Sequence, residues 1–297
     1  MRTQALIEEL RARLGVAPPA GDGAGARAGA REPRLPRPEP ARDPALLERL
    51  RAATVAQIGV GRAGTRLRTR TLLEFLAGRA VAVEAVQSQL PDDFARAVGA
   101  VVAVRSRAKD LQEFLFRPDL GRQLPPDELA RVVAACRKGP DVQPIVGDGL
   151  SAKAVVENAP PFLAALRDEC KRLGLEVGDT VLVKHARVKL LDPIGAALGA
   201  RTAVICVGER PALGTGDGMS AYLMWGPRAD AMDSDREVVS NINARSFKPE
   251  EAGRRTAAML AEFLRVGASG VKRQAGPAPA APGHDKPRAA ALAAVAR

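Results

Sequence analysis

Apolar residues along this chain repeat with a helical period up to about residue 140 and in short strand-length runs beyond it. Near the start, Leu6, Ile7, Leu10 and Leu14 fall on one face of a helix, which predicts an amphipathic helix over 1–16. Residues 17–43 have no apolar period and are crowded with Pro, Gly, Ala and Arg. Such a segment buries too little surface to offset its ordering entropy, so a flexible linker is expected. Helical spacing returns over 44–139: Leu46, Leu47, Leu50 and Val55 predict a helix over 45–57. Further helices are expected over 71–86 and, after Pro125-Pro126, over 127–138. The Pro- and Gly-punctuated stretch 117–122 between them reads as a loop.

The pattern changes after Gly139-Pro140. An apolar run over 142–146 ends in Gly147-Asp148-Gly149-Leu150-Ser151, and Ser151 is placed to cap the helix that follows. Pro160-Pro161 is expected to divide or restart that helix, because proline is tolerated in a first turn but not in a helix interior. The runs TVLVK (180–184) and TAVICV (202–207) are apolar on both faces, as strands buried inside a parallel sheet are. A short helix over 192–198, a strand over 221–225 and a long helix over 249–264 complete the alternation. The expected fold class is therefore α/β, a Rossmann-like, mostly parallel sheet over 140–273 preceded by a helical N-terminal region. The Ala/Pro-rich stretch 274–297 is expected to be a disordered tail.

Composition narrows the function classes. Aromatic residues make up only 3% against 46% hydrophobic, so the core must be built from Leu, Val, Ile and Ala. No window approaches the roughly 20 apolar residues of a membrane span, and Glu8, Glu9 and Arg11 interrupt any secretory run, so a cytoplasmic protein with no membrane partner is expected. Cys136, Cys170 and Cys206 fit no metal-ligand spacing and are expected as buried thiols. The net charge of +11 raises nucleic acid as a partner. The arginines are scattered rather than blocked and interleaved with aromatics, so no nucleic-acid partner is expected. The dense basic stretch 61–70 fits either a solvated or interface-facing strip or a phosphate-binding patch.

Of the two histidines, His284 lies in the tail, whereas His185 follows the run 180–184 at a strand end, where α/β folds place ligands. A structural histidine is the competing reading. No second histidine or acidic cluster lies nearby to complete a metal site. Serine-hydrolase, P-loop and dinucleotide fingerprints are missing. Gly147-Asp148-Gly149 fits either an anion held on backbone amides or a tight turn. The residues alone thus predict a basic α/β domain with no catalytic residues of its own.

Several strings resemble the small (light) subunit of ethanolamine ammonia-lyase: GRAGTRLRTRTLLEFLA from Gly61, RPDLGRQL from Arg117, VGDGLSAKAV from Val146, ARVKLLDPIGAALGA from Ala186, VGERPALGTGDGMSAY from Val207 and VSNI from Val239. They occur in the family's order, and the resemblance covers about 44–270. It implies a subunit of the adenosylcobalamin (coenzyme B12)-dependent lyase that converts ethanolamine to acetaldehyde and ammonia. The implied partner is the catalytic large subunit, a β/α-barrel, in a hetero-oligomer with several copies of each chain. The resemblance also implies cobalamin sandwiched between the subunits and held by Val188, Glu209 and Val238 of this chain. A location free in the cytoplasm or inside an ethanolamine-utilisation bacterial microcompartment is compatible with it. Three positions depart from the family's pattern: Val238 replaces a common cysteine, Lys184-His185-Ala186 replaces Arg-Tyr-Gly, and Ala212 replaces glycine. The competing class is a corrinoid- or nucleotide-binding module with no lyase partner.

The linker composition generates a first prediction. Removing residues 1–43 leaves the specific activity of the assembled lyase within a few-fold; a loss of about tenfold or more, some 1.4 kcal/mol in the barrier, would overturn the assignment.

Overall fold

The computed structural model describes residues 43–54 and 56–274. The helix expected over 1–16, the linker except Asp43, and the tail from 275 lie outside the described residues. The chain separates into two compact units, divided between Arg68 and Thr69.

In the first unit, helix α1 (Pro44–Ala52) starts at Asp43, whose carboxylate accepts the Leu46 N–H at 2.8 Å. Proline at the first helical position loses no hydrogen bond there. The helix ends five residues before the expected 57, and the Arg51 guanidinium donates to the carbonyls of Ile58 and Gly59 in the segment that follows. The basic stretch 61–70 begins as an antiparallel hairpin of β1 (Arg62–Ala63) and β2 (Arg66–Leu67). Gly64 turns it with φ +61°, a conformation glycine adopts without steric penalty.

The second unit runs α2 (Thr69–Gln87), α3 (Phe94–Ala97), β3 (Ala100–Arg105), α4 (Leu111–Phe116), α5 (Pro126–Ala135), β4 (Val142–Gly147) and α6 (Ala152–Arg172). It continues through β5 (Thr180–Lys184), a 3-10 turn at Val188–Leu190, α7 (Leu191–Ala197), β6 (Thr202–Gly208), β7 (Met219–Trp225), β8 (Arg236–Ile242), α8 (Pro249–Val266) and α9 (Val271–Gln274). One sheet in the order β3-β5-β4-β6-β7-β8 organises these elements. Strands β3, β5, β4 and β6 are parallel, and β7 and β8 extend the sheet by antiparallel pairing. The expected α/β class with a mostly parallel sheet is therefore observed.

Strand β3 corrects the expectation of a helical region over 44–139, because Ala100–Arg105 forms the sheet's edge beside β5. Its sequence AVVAVR is rich in β-branched residues and alternates between buried and exposed positions, a strand pattern flanked by helical ones. Helix α6 runs unbroken through Pro160 and Pro161, contrary to the expected division. Prolines at these positions leave the Val156 and Glu157 carbonyls without intrahelical donors. Full burial of Phe162, Leu163 and Leu166 holds the helix together nonetheless.

Alternate side chains of each central strand enter two separate cores. Val204 and Cys206 of β6 face one core with α6 and α8, while Ala203, Ile205 and Val207 face the other with Val132 of α5 and Leu191 and Ile194 of α7. Helices α6 and α8 approach closely at Gly253, where a Cβ would overlap the Phe162 carbonyl oxygen and lie 3.0 Å from the Leu166 nitrogen. Gly253→Ala is expected to destabilise the protein by about 1–3 kcal/mol, an overpacking cost that exceeds the gain in helix propensity. Chemical denaturation of the two proteins measures it, and an unchanged midpoint would contradict the contact.

Candidate functional site

The order of strands fixes where a ligand site can form. From β4 the chain crosses to β5 on one side through α6, and from β5 it returns past β4 to β6 through α7. Connections diverge between β4 and β6, and a crevice opens beyond the carboxyl ends of strands at such a switch point. The segments there are Gly147-Asp148-Gly149 after β4 and Glu209-Arg210 after β6.

Close backbone contact joins these two segments at the switch point. The Leu150 N–H donates to the Gly208 carbonyl at 2.8 Å, and a Cβ on Gly149, at φ +59°, would lie 2.6 Å from the Gly208 nitrogen. Gly147-Asp148-Gly149 is thus a tight turn. The Asp148 carboxylate accepts the N–H groups of His185 and Ala186 at 2.8 and 2.9 Å. Burial pushes this carboxyl above its ordinary range, and the backbone N–H bonds pull the other way.

His185 is a structural residue. It is buried at φ 58°, its ring stacks on Phe114 with centroids 5.6 Å apart, and its Nδ1 lies 3.2 Å from the Ala108 carbonyl oxygen. The chain then turns outward. Arg187 places its guanidinium 4.4 Å above the Phe114 ring and donates to the Phe114 carbonyl at 3.1 Å. Its Nε is buried without a hydrogen-bond partner.

Val188 follows, half-buried against the core on the α7 face. The segment is anchored from below by a buried ion pair, Arg236 to Asp192 at 2.5 Å, with Lys189 donating to Asp192 and to the Ala231 carbonyl. Glu209 is held at its backbone by an N–H bond to the Gly218 carbonyl, and its carboxylate accepts the Tyr222 hydroxyl at 2.9 Å. The loop from 210 to 217 is pinned to the start of α6, where Ser151 Oγ donates to the Gly216 carbonyl and Asn158 to that of Asp217. Ser151 also caps α6 as expected, accepting the Ala154 N–H at 3.2 Å.

Val238 lies on β8, 47% exposed, directly opposite Tyr222 of β7. Directly paired residues on antiparallel strands project from the same face, and Tyr222 packs on the α7-side core together with Val188. The fold therefore brings Val188, Glu209 and Val238 to one face of the sheet, with Tyr222 linking the last two. Asn241, in the VSNI motif, adopts φ 63° where the register between β7 and β8 shifts. Asparagine tolerates this left-handed conformation better than most residues.

Tyr222, Arg187 and Phe114 were not singled out by sequence reasoning. A lone tyrosine within a mostly apolar strand is a signal, since a buried hydroxyl needs a partner. Arg187 and Phe114 carry none, because their pairing depends on tertiary contact. The three cysteines are free and buried, with burial raising Cys136 to about 11 and Cys170 to about 12 and pushing Cys206 furthest.

Fold and crevice together define an α/β domain of the doubly wound type with its candidate site at the switch point. The family model for the ethanolamine ammonia-lyase light chain matches residues 44–273, and the chain belongs to that family. It is therefore a subunit of a lyase whose partner is the heavy chain. No helix among the described residues is long and apolar enough to cross a membrane.

Tyr222 is the single tyrosine, so its ionisation can be read directly. Burial, and then the Glu209 carboxylate, raise the phenol from 10 to about 12. A phenol raised on folding favours the native state below pH 10, and that contribution is lost as pH rises toward 12. Ultraviolet titration of this chain is expected to show a midpoint near 12. In Glu209→Gln the midpoint falls, because the repelling carboxylate is gone. Equal midpoints in the two proteins would refute the contact.

Proposed function

We propose that this chain holds adenosylcobalamin in the switch-point crevice, against the heavy chain of an ethanolamine ammonia-lyase hetero-oligomer that converts ethanolamine to acetaldehyde and ammonia. The observation that carries this reading is the Glu209 carboxylate, fixed by Tyr222, which pairs with Val238 and packs on the same core as Val188. Cobalamin presents amide N–H donors around an apolar corrin face. The residues present fit that group: one oriented acceptor, two aliphatic surfaces, and an orphaned buried donor at Arg187 Nε. When bound, the cofactor supplies radical chemistry by cleavage of its cobalt–carbon bond. This chain's part is binding and orientation. Glu209 accepts N–H bonds, Val188 and Val238 exclude water from an apolar face, and the Asp192–Arg236 pair fixes the spacing between the segments that carry them.

Exposed apolar side chains stand beside this crevice. Leu115, Phe116 and Leu213 border a groove of about 800 Å³ that reaches Pro211, next to Arg210. An apolar surface of this kind suits the heavy chain, which would close the site from above.

Glu209→Ala is expected to raise the dissociation constant for cobalamin by about ten- to a few-hundredfold. Each bond to a charged group contributes about 1.5–3 kcal/mol, and a decade corresponds to about 1.4 kcal/mol. Spectroscopic titration of the assembled complex measures this, with size-exclusion chromatography as the check on assembly. An unchanged constant in an intact complex would retire Glu209 as a contact.

A further inference from the structure

Three arginines act on one another at this end of the sheet, and among the described residues none of them is ion-paired to an acid. Arg187 packs its Cγ against Gly121, the neighbour of Arg122, and donates its backbone N–H to the Gly121 carbonyl at 2.9 Å. Arg210 enters from the opposite side, two residues beyond Gly208, whose backbone touches Asp148 and Gly149. Among the described residues no ion pair joins Arg122, Arg187 or Arg210 to an acid. Asp148 accepts the His185 and Ala186 amides and Glu209 the Tyr222 hydroxyl, and neither carboxylate bonds to an arginine of this cluster. Burial lowers the Arg187 guanidinium from its usual range, and repulsion from Arg122 and Arg210 lowers it further, against a smaller opposing attraction from Asp148. Its Nε, buried and without an acceptor, is a donor left unmatched. A desolvated donor among like charges is unfavourable by itself and favourable once an anion arrives, and arginine forks suit phosphate oxygens.

We propose that Arg122, Arg187 and Arg210 form an anion subsite for the phosphodiester of the cobalamin nucleotide loop. The inference rests on the cofactor reading above and extends it to the one anionic group of an otherwise amide-rich ligand. Val188 and Glu209 are the chain neighbours of Arg187 and Arg210, so the corrin contacts and the phosphate contacts lie side by side.

The test compares two corrinoids that differ by the phosphate, cobinamide and cobinamide phosphate, titrated spectroscopically into the assembled complex of this chain with the heavy chain. The wild-type complex is expected to bind cobinamide phosphate about tenfold or more tightly than cobinamide, the scale of one charge-assisted bond. Arg210→Gln, at an exposed position, is expected to bind cobinamide as before and to lose most of that preference, and Arg187→Gln to lower the ratio between the two corrinoids. Arg187→Lys should restore part of it. Binding of neither corrinoid by the wild type would remove the cofactor reading and the subsite with it. Equal binding of both would overturn the subsite alone. Loss of the heavy chain from Arg210→Gln on size exclusion would show that the arginines meet an acidic surface of the partner, and would likewise overturn the proposal.

Discussion

The buried carboxylate of Asp148 sets the geometry on which the site depends. It stands at the end of β4 and accepts successive backbone N–H groups from the segment leaving β5. Those two amides have no strand partner at that point, and an unmade hydrogen bond in the interior costs about 1–3 kcal/mol. Satisfying both from one side chain requires the backbone to curl, and His185 takes up the left-handed conformation that this needs. The curl redirects the chain, so that Arg187 and Val188 emerge over the crevice instead of continuing the strand. Gly149 and Gly208 complete the arrangement by letting the two strand ends touch.

A second buried charge system acts at a distance from the first. Asp192 and Arg236 have side chains only 1% and 3% exposed, and the pair joins the start of α7 to β8. Replacing such a pair with apolar residues is often neutral for stability, so stability alone is a weak reason for it. Removing one partner is not neutral, and the pair fixes how far the turn carrying Val188 lies from the strand carrying Val238. In this domain polar groups are buried where spacing matters, and apolar ones fill the two cores between.

Much of this was legible in the sequence. TVLVK and TAVICV are buried on both faces and read as central strands, and Ser151 reads as a cap because its hydroxyl satisfies a local N–H. Local pattern failed where long-range packing decides. Ala100–Arg105 lies among helices in sequence and becomes a strand only because the edge of β5 is open to it. Pro160 and Pro161 break a helix in isolation but not one buried against α8 at Gly253. In the site, Val188, Glu209 and Val238 entered through family resemblance, since two valines and a glutamate carry no pattern of their own. Tyr222 stands out as the one tyrosine of the chain, but its link to Glu209 and Val238 depends on the pairing of β7 with β8 and on the turn after β6.

Ala186 brings a dependence that reaches beyond its own position. Where the family pattern usually shows glycine, this chain carries a methyl group, and that methyl fills the space over Gly147. A Cβ at 147 would overlap it, at 2.4 Å, while meeting Val207 Cγ1 at an ordinary contact distance of 3.4 Å. With glycine at 186 the closest of these contacts would be absent, whereas the Ala186 methyl excludes a side chain at 147 in this chain. The two positions therefore form an epistatic pair. A side chain at 147 is tolerated in this chain only together with a change at 186, so neither position can be judged from its own surroundings alone.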